Sequence, residues 1–183
     1  MKFLGSAFKE IAFLVLLAVV TVLPIRLFVA QPFVVEGASM YKTFESGDYL
    51  IIDELTYRFS DPKRGDVIVF RAPPDISTFY IKRIIGLPGE TVHIDHGKVT
   101  ITKTDGTTLV LDEQYIIDED ATYSEDATIG SGQYFVMGDN RPKSSDSRVW
   151  GLLPEKNIMG RALVRLLPLG QIGLFPGSVS SPQ

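Results

Sequence analysis

The sequence predicts a mainly β protein in which antiparallel sheets form a sandwich or open-barrel-like core, with one N-terminal transmembrane helix. From Gln31 onward, short β-branched and aromatic runs alternate with turn residues, and the spacing leaves no room for long crossover helices. An uncharged apolar run near the N-terminus provides the predicted helix. The chain has 183 residues, 45% of them hydrophobic, which is enough for one core with a smaller satellite.

The predicted transmembrane helix is the apolar run 11–25. A spanning helix needs about 20 mostly apolar residues, so this run suffices only if the flanking Lys9 and Arg26 snorkel. A buried core helix and a cleavable secretory signal are the alternatives. Bulky Phe28 disfavours cleavage after Ala30, and the basic N-terminal residues favour a cytoplasmic N-terminus. We therefore expect residues 1–30 to anchor an extracytoplasmic domain in the plasma membrane.

The rest of the chain is predicted to be one β-rich domain, 31–175, followed by a disordered tail, 176–183. Gly-Asp pairs at 47–48 and 65–66 precede apolar runs, as expected of turns that lead into strands. A smaller insertion is expected at 91–131. The strands are predicted within 47–53, 65–70, 79–85, 91–94, 98–102, 108–111, 133–137 and 162–167.

Composition argues against several classes of site. The chain has no cysteine, which excludes disulfides, thiol catalysis and cysteine-ligated zinc, and its net charge of −4 argues against a nucleic-acid binder. His93 and His96 have no further histidine or cysteine with them and are interpreted as exposed hairpin residues. Segment 111–126 contains seven carboxylates and no basic residue. It lacks the ligand order of a calcium loop, so it is predicted to be a solvated loop without a metal.

The stretch Val34–Phe44 contains the candidate nucleophile, Ser39. Gly37 and Ala38 leave the backbone around the serine accessible, and the apolar residues on either side can form a cleft. An ordinary turn serine is the common alternative for such a short motif, so partners elsewhere in the chain must decide.

A nucleophilic serine requires a base, because its hydroxyl is too weak an acid to ionise near neutrality. Lysine can serve when burial lowers its pKa. Lys82 lies on the predicted strand 79–85, where alternation places it on one face with Tyr80 and Ile84. A charged, unpaired lysine among core-type side chains would be costly, so Lys82 is either exposed at an edge or neutral. The residues alone leave both possibilities open.

The third candidate stretch is Met137–Gly151, which is dense in short polar side chains. Asp139 and Asp146 can bond backbone amides in tight turns, and Arg141 and Arg148 can pair with these carboxylates. One of its serine hydroxyls could orient a neutral lysine amine toward the nucleophile. A loop held together by its own polar groups is the alternative.

Together and in this order, these stretches resemble the bacterial type I signal peptidases, membrane-anchored serine proteases that remove signal peptides from exported proteins. The resemblance implies a largely antiparallel catalytic core with a smaller variable region. It also implies preproteins as substrates, the lipid bilayer as partner, no cofactor and a monomer. Behind the anchor, the matching blocks are Val35–Met40, Lys63–Phe70, Tyr80–Glu90 and Met137–Gly151.

The resemblance also implies roles for individual residues. Ser39 corresponds to the nucleophile, Lys82 to the general base, and Ser144 to a hydroxyl that positions the lysine. The signal peptide is expected to bind extended along a strand edge. Positions that organise the site correspond to Asp139, Asp146 and Arg148. Positions that line the pockets for small side chains correspond to Val35, Met40, Phe44, Tyr80 and Ile81.

Two residues depart from the family pattern. Lys42 stands where many members have proline and places a positive charge three residues after Ser39. Gly37 stands where some members have a serine that helps to form the oxyanion hole, so the Ser39 backbone N–H must carry more of that role.

Two other functions remain as alternatives to a signal peptidase. One is a soluble Ser-Lys protease of the self-cleaving repressor type, and the other is an inactive membrane-tethered β-domain.

Overall fold

The computed structural model describes residues 9–21, 30–73, 75–118 and 120–179. Residues 9–21 form helix α1, whose residues are all exposed. Residues 22–29, which include the end of the predicted anchor, lie outside the described part. Among the described residues, no helix is long and apolar enough to cross a membrane.

Strands dominate the described part of the chain beyond α1, as predicted. The one further α-helix there is the short α2 (Ser147–Trp150). The strands are β1 (Ala30–Val34), β2 (Tyr49–Asp53), β3 (Val67–Ala72), β4 (Asp75–Gly86), β5 (Thr91–Asp95), β6 (Lys98–Thr102), β7 (Thr108–Val110), β8 (Glu125–Thr128), β9 (Gln133–Met137), β10 (Leu153–Pro154), β11 (Ile158–Leu167) and β12 (Gly173–Leu174).

The main sheet places β4 in its interior. Its strands are hydrogen-bonded in the order β1-β2-β11-β3-β4-β9-β10, and β12 pairs with β11. On one side of β4, Lys82 lies opposite Ile68 of β3, and on the other side Arg83 lies opposite Met137 of β9. Lys82 is therefore on a central strand and not at an edge of the sheet.

A second sheet, in the order β7-β6-β5-β8, is built from the region predicted as the insertion. Every strand pairing in both sheets is antiparallel, which confirms the mainly β, antiparallel part of the predicted fold class. The solvated-loop prediction for 111–126 is wrong at its end, because Glu125 and Asp126 belong to β8 and pair with β5. The strand has the polar sequence Glu-Asp-Ala-Thr, which has few of the residues that favour strands, so the sequence gives little indication of it.

One apolar cluster joins the two sheets, and a second supports the candidate site. In one cluster, Ile85, Phe135 and Met137 of the main sheet pack with buried residues of the second sheet, such as Val92 and Ile101. The other cluster lies beneath the turn that follows β1. It contains Val35, Met40, Phe44, Leu50, Ile52, Val67, Val69 and Ala162.

Candidate active site

Ser39 lies on the turn between β1 and β2, and buried neighbours hold this turn in place. Met40 is 1% exposed and Phe44 is fully buried, so they fix the turn to the core while Ser39 remains partly exposed. Val35 adds a backbone hydrogen bond to the Asp48 carbonyl of 2.9 Å. The sequence folds this way locally because its apolar residues point into the core from a short turn.

Lys82 contacts Ser39 directly. Its Nζ atom lies 2.8 Å from Ser39 Oγ and donates a hydrogen bond of 2.9 Å to the Ile81 carbonyl. The residue is only 4% exposed. Burial lowers the pKa of Lys82 to about 8, although the charges of Asp146 and Asp139 partly oppose this shift. The sequence left open whether Lys82 is exposed at a sheet edge or buried as a neutral amine. In the structure it is buried, and its pKa is lowered.

The Met137–Gly151 stretch holds the backbone of the serine turn. Asn140 donates from its backbone N–H to the Ser39 carbonyl at 3.0 Å and from its side-chain amide to the Ala38 carbonyl at 2.9 Å. Gly138 permits this approach, since a Cβ added there would lie 2.4 Å from the Ser39 carbonyl oxygen and 2.3 Å from Ser144 Oγ. The two stretches therefore meet at a point that has no space for a side chain.

Asp139 is buried and pairs with Arg83, a residue that the sequence analysis did not identify as part of the site. Arg83 Nε donates to Oδ1 at 2.9 Å and Nη2 donates to Oδ2 at 2.6 Å, and Thr43 donates its hydroxyl to the same carboxylate. Arg83 is 0% exposed. The position of Arg83 among core-type residues on a strand could have identified it, because a buried guanidinium stays charged and requires an acidic partner.

Asp146 caps helix α2 and pairs with Arg148, one of the predicted partners. Arg148 Nε and Nη2 donate to its carboxylate at 2.9 and 3.0 Å, and the Gly138 backbone N–H donates to it at 3.0 Å. Arg141 differs from the expectation, because it pairs with Glu113 of the acidic segment and not with a carboxylate of its own stretch.

Ser144 lies beside Gly138 but does not contact the lysine amine. Its Oγ is buried and has no hydrogen-bond partner among the described residues. The second hydrogen bond of the Lys82 amine goes to the Ile81 carbonyl. Of the other two serines, Ser145 lines the cavity described next, and Ser147 Oγ accepts a 3.0 Å hydrogen bond from the Val136 N–H.

A cavity of about 330 Å³ opens beside Ser39 and Lys82. Three of the five residues expected to form pockets line it, namely Val35, Tyr80 and Ile81. The other two, Met40 and Phe44, are buried in the cluster beneath it and do not line it. The walls are mostly apolar. Further lining residues are Phe33, Val34, Leu50, Val69 and Phe79.

The histidines lie in the second sheet and not at this site. His93 on β5 contacts Asp126 and Thr102 at 2.8 and 2.9 Å, and exposed His96 in the following turn contacts Asp95 at 2.7 Å. Within the ranges that the structure describes, no group of three or more histidine, cysteine, aspartate and glutamate residues could hold a metal ion.

Comparisons with known proteins give one consistent family. Residues 8–167 match the family model described as signal peptidase, peptidase S26. The chain is 41% identical over 177 residues to the "Probable signal peptidase I-1" of Synechocystis sp., covering 91% of this chain and 88% of the relative. It is 39% identical over 164 residues to the signal peptidase I of Leptolyngbya laminosa, covering 86% and 78%. A crystal structure of a signal peptidase I from Enterococcus faecalis V583 has 32% identity and a TM-score of 0.45, covering 56% of this chain and 97% of that chain.

Proposed function

Because the chain belongs to the signal peptidase family, peptidase S26, and is a serine endopeptidase, we propose that it cleaves signal peptides from exported preproteins with Ser39 as nucleophile and Lys82 as general base. The observation that carries the proposal is the 2.8 Å separation of Lys82 Nζ from Ser39 Oγ. At this distance a neutral amine can take the serine proton directly.

In the proposed reaction, neutral Lys82 accepts the Ser39 hydroxyl proton as Oγ attacks the carbonyl carbon of the peptide bond. The resulting ammonium gives this proton to the leaving amine, and the acyl group stays on Oγ. Lys82 then takes a proton from water as the water oxygen attacks the ester, and the ammonium returns this proton to Oγ when the acid product leaves, which restores Ser39 and neutral Lys82. The Ile81 carbonyl supports both steps, because it accepts a hydrogen bond from the amine and so fixes its direction.

The backbone N–H of Ser39 is proposed as the oxyanion donor. Within the described residues it donates to no backbone acceptor, so it is available to the developing charge. Gly37 has a φ of 90°, a left-handed conformation that turns the backbone just before Ala38 and Ser39. A Cβ added at Gly37 would meet no atom within 4 Å. Access to the oxyanion is therefore open on that side. Lys42 is exposed.

Asp139, Asp146 and Arg148 are proposed to organise the site and not to transfer protons. Both carboxylates are bound by arginine forks, which fixes their position beside the Ser39–Lys82 pair. Ser144 is proposed to hold the lysine amine during the reaction. Its buried hydroxyl lacks a partner among the described residues and lies next to the Ser39 carbonyl, and such a group requires an explanation.

The cavity supports specificity for a small residue before the scissile bond. Its walls are mostly apolar, which suits small uncharged side chains and disfavours charged ones. Val35, Tyr80 and Ile81 would contact the substrate side chains, while Met40 and Phe44 would support the floor from the core. An extended signal peptide would lie along the neighbouring strand edge.

We also propose a single-pass plasma-membrane protein whose catalytic domain is on the extracytoplasmic face. The uncharged run 11–25 and its basic flanks support this, and so do the exposed apolar residues between β11 and the end of β12. Monomeric action is supported because one chain supplies both Ser39 and Lys82. The full chain should resist carbonate extraction from membranes, and its release by carbonate would contradict anchoring.

The proposal is tested by cleavage of a preprotein with the full chain purified in detergent. Ser39→Ala and Lys82→Met should each abolish the cleavage, because one removes the nucleophile and the other the base. Lys98→Met is the matched control, since Lys98 is an exposed lysine of the second sheet. Cleavage by either dyad variant at the wild-type rate would contradict the proposal.

A further inference from the structure

The acidic segment between β7 and β8 reaches across to the proposed active site. Glu113 forms a two-point ion pair with Arg141, and the side chains are 7% and 2% exposed. Tyr115 donates its hydroxyl to Glu113 at 2.8 Å and places its ring 4.0 Å from the guanidinium carbon of Arg83. One tyrosine thus connects two buried arginines.

The same segment also covers the third arginine of the site. Asp120 lies 3.4 Å from Arg148, and the Tyr123 ring centroid is 5.6 Å from the guanidinium carbon. Tyr123 also donates its hydroxyl to the Arg148 carbonyl at 3.1 Å. We call residues 111–124, described here except for residue 119, the arginine cover.

Each covered arginine holds a part of the site with its remaining donors. Arg83 binds Asp139 and Arg148 binds Asp146, while Arg141 Nε donates to the Gly138 carbonyl at 3.2 Å. Gly138 in turn lies against the Ser39 carbonyl. The three arginines therefore connect the arginine cover to the groups that surround the Ser39–Lys82 pair.

The contact between Tyr115 and Arg83 has a specific electrostatic consequence. A ring face over a guanidinium attracts the cation, more strongly when the pair is desolvated, and holds its plane parallel to the ring. Arg83 also donates to the carbonyls of Gly65 and Gly177, so the ring covers one face of a cation that is already bound along its edges. With its plane fixed, the guanidinium keeps both donors on Asp139.

We propose that Tyr115 is a positioning residue for signal-peptide cleavage, acting through Arg83 and Asp139 on the Ser39–Lys82 pair. The inference rests on the proposed function. It gives the acidic segment a role in catalysis, through the arginine cover, in place of simple solvation. Glu113 assists by holding the Tyr115 hydroxyl and Arg141 together.

The test compares Tyr115→Leu, Tyr115→Phe and Asp118→Asn in the full chain. Leucine removes the ring from Arg83 and phenylalanine retains it, while exposed Asp118 is a matched acidic position in the same segment. We expect Tyr115→Leu to lower kcat by roughly tenfold to a hundredfold, as a small displacement of reacting groups does, with KM little changed. Tyr115→Phe should recover most of kcat, and Asp118→Asn should match the wild type.

The pH profile of kcat/KM separates positioning from a purely structural role. The charged and titratable groups that face Lys82 include Asp139 and Asp146 on the loop after β9, Glu36 and Lys143 around the shared cavity, and Tyr80 on its own strand. If Arg83 neutralises Asp139 less well in Tyr115→Leu, the Lys82 pKa rises and the acid limb moves to higher pH.

A lower Tm with wild-type kcat per folded molecule and an unmoved acid limb would overturn the inference, as would equal losses in the leucine and phenylalanine variants. Inactive wild-type protein, or activity in Ser39→Ala, would instead overturn the proposed function. The two failures are therefore distinguishable.

Discussion

Lys82 is buried between an apolar cavity and two paired carboxylates, a position that favours a neutral amine over an ammonium. In the folded protein its pKa falls from 10.5 to about 8 because burial removes water from the charged form. The same burial that makes the amine a usable base therefore costs folding free energy at neutral pH. Activity and stability oppose each other at this one residue.

Lys82→Met should accordingly stabilise the fold near pH 7 while abolishing cleavage. Between about 8 and 10.5 the unfolded lysine binds more protons than the folded one, so the stability of the wild type rises with pH across that window. The advantage of methionine should be largest below that window and shrink through it. We expect roughly 3 kcal/mol near pH 7, equivalent to a Tm increase of about 6–12 °C.

Thermal unfolding from about pH 6 to pH 10 measures this difference. Lys98→Met controls for the general effect of replacing a lysine, because Lys98 is exposed. A Lys82→Met protein that is less stable than the wild type near neutrality, or a difference that does not change with pH, would contradict the burial argument.

At the residue scale, the sequence led to the prediction that Ser39 and Lys82 react together, and the structure places their side chains 2.8 Å apart, but the sequence did not identify Arg83. The serine and the lysine lie in motifs with recognisable neighbours. Arg83 is buried because it meets Asp139, 56 residues away, and no local pattern encodes a long-range ion pair. The same reason explains why Arg141 was expected to pair within its own stretch and instead pairs with Glu113, 28 residues before it.

At the scale of elements, the site depends on the close approach of the loop after β9 to the serine turn. Gly138 is the contact point, and a methyl group there would overlap the Ser39 carbonyl at 2.4 Å. The backbone cannot yield without moving Ser39 or breaking the hydrogen bond from the Asn140 N–H. The absence of a side chain at this position thus sets the relative position of the two elements.

Gly138→Ala should lower kcat by about a hundredfold or more, because it displaces Ser39 from Lys82 by a fraction of an ångström or more. Overpacking should also reduce stability by roughly 1–3 kcal/mol. Gly170→Ala is the matched control, since a Cβ there meets no atom within 4 Å and its φ is not positive. Cleavage kinetics and thermal unfolding measure both effects, and wild-type kcat in Gly138→Ala would refute the proposed close approach.

Elements with several alternating apolar residues were predictable, and a short polar strand was not. The predicted strands in 47–53, 65–70 and 133–137 correspond to β2, β3 and β9, each with a buried face. β8 has the sequence Glu-Asp-Ala-Thr and was predicted as part of a loop. It forms because β5 offers an unpaired edge, which its own side chains do not reveal.

At the scale of the whole molecule, the two sheets pack into one unit around the proposed site. The second sheet shares an apolar cluster with β4 and β9, and its connecting segment covers the arginines of the site. A region that the sequence marked as a variable insertion is thereby joined to the serine and the lysine. The family resemblance read from ordered blocks is confirmed, because the family model matches residues 8–167.

The most direct test of the central claim is covalent labelling of Ser39 by a β-lactam-type acylating inhibitor, followed by intact mass and peptide mapping. A Ser-Lys pair predicts one adduct per chain, located on Ser39, whose rate of formation rises with pH through about 8 as Lys82 loses its proton. Ser39→Ala should give no adduct, and Lys82→Met should label far more slowly. An adduct on another residue, or labelling of Lys82→Met at the wild-type rate, would contradict the Ser39–Lys82 mechanism.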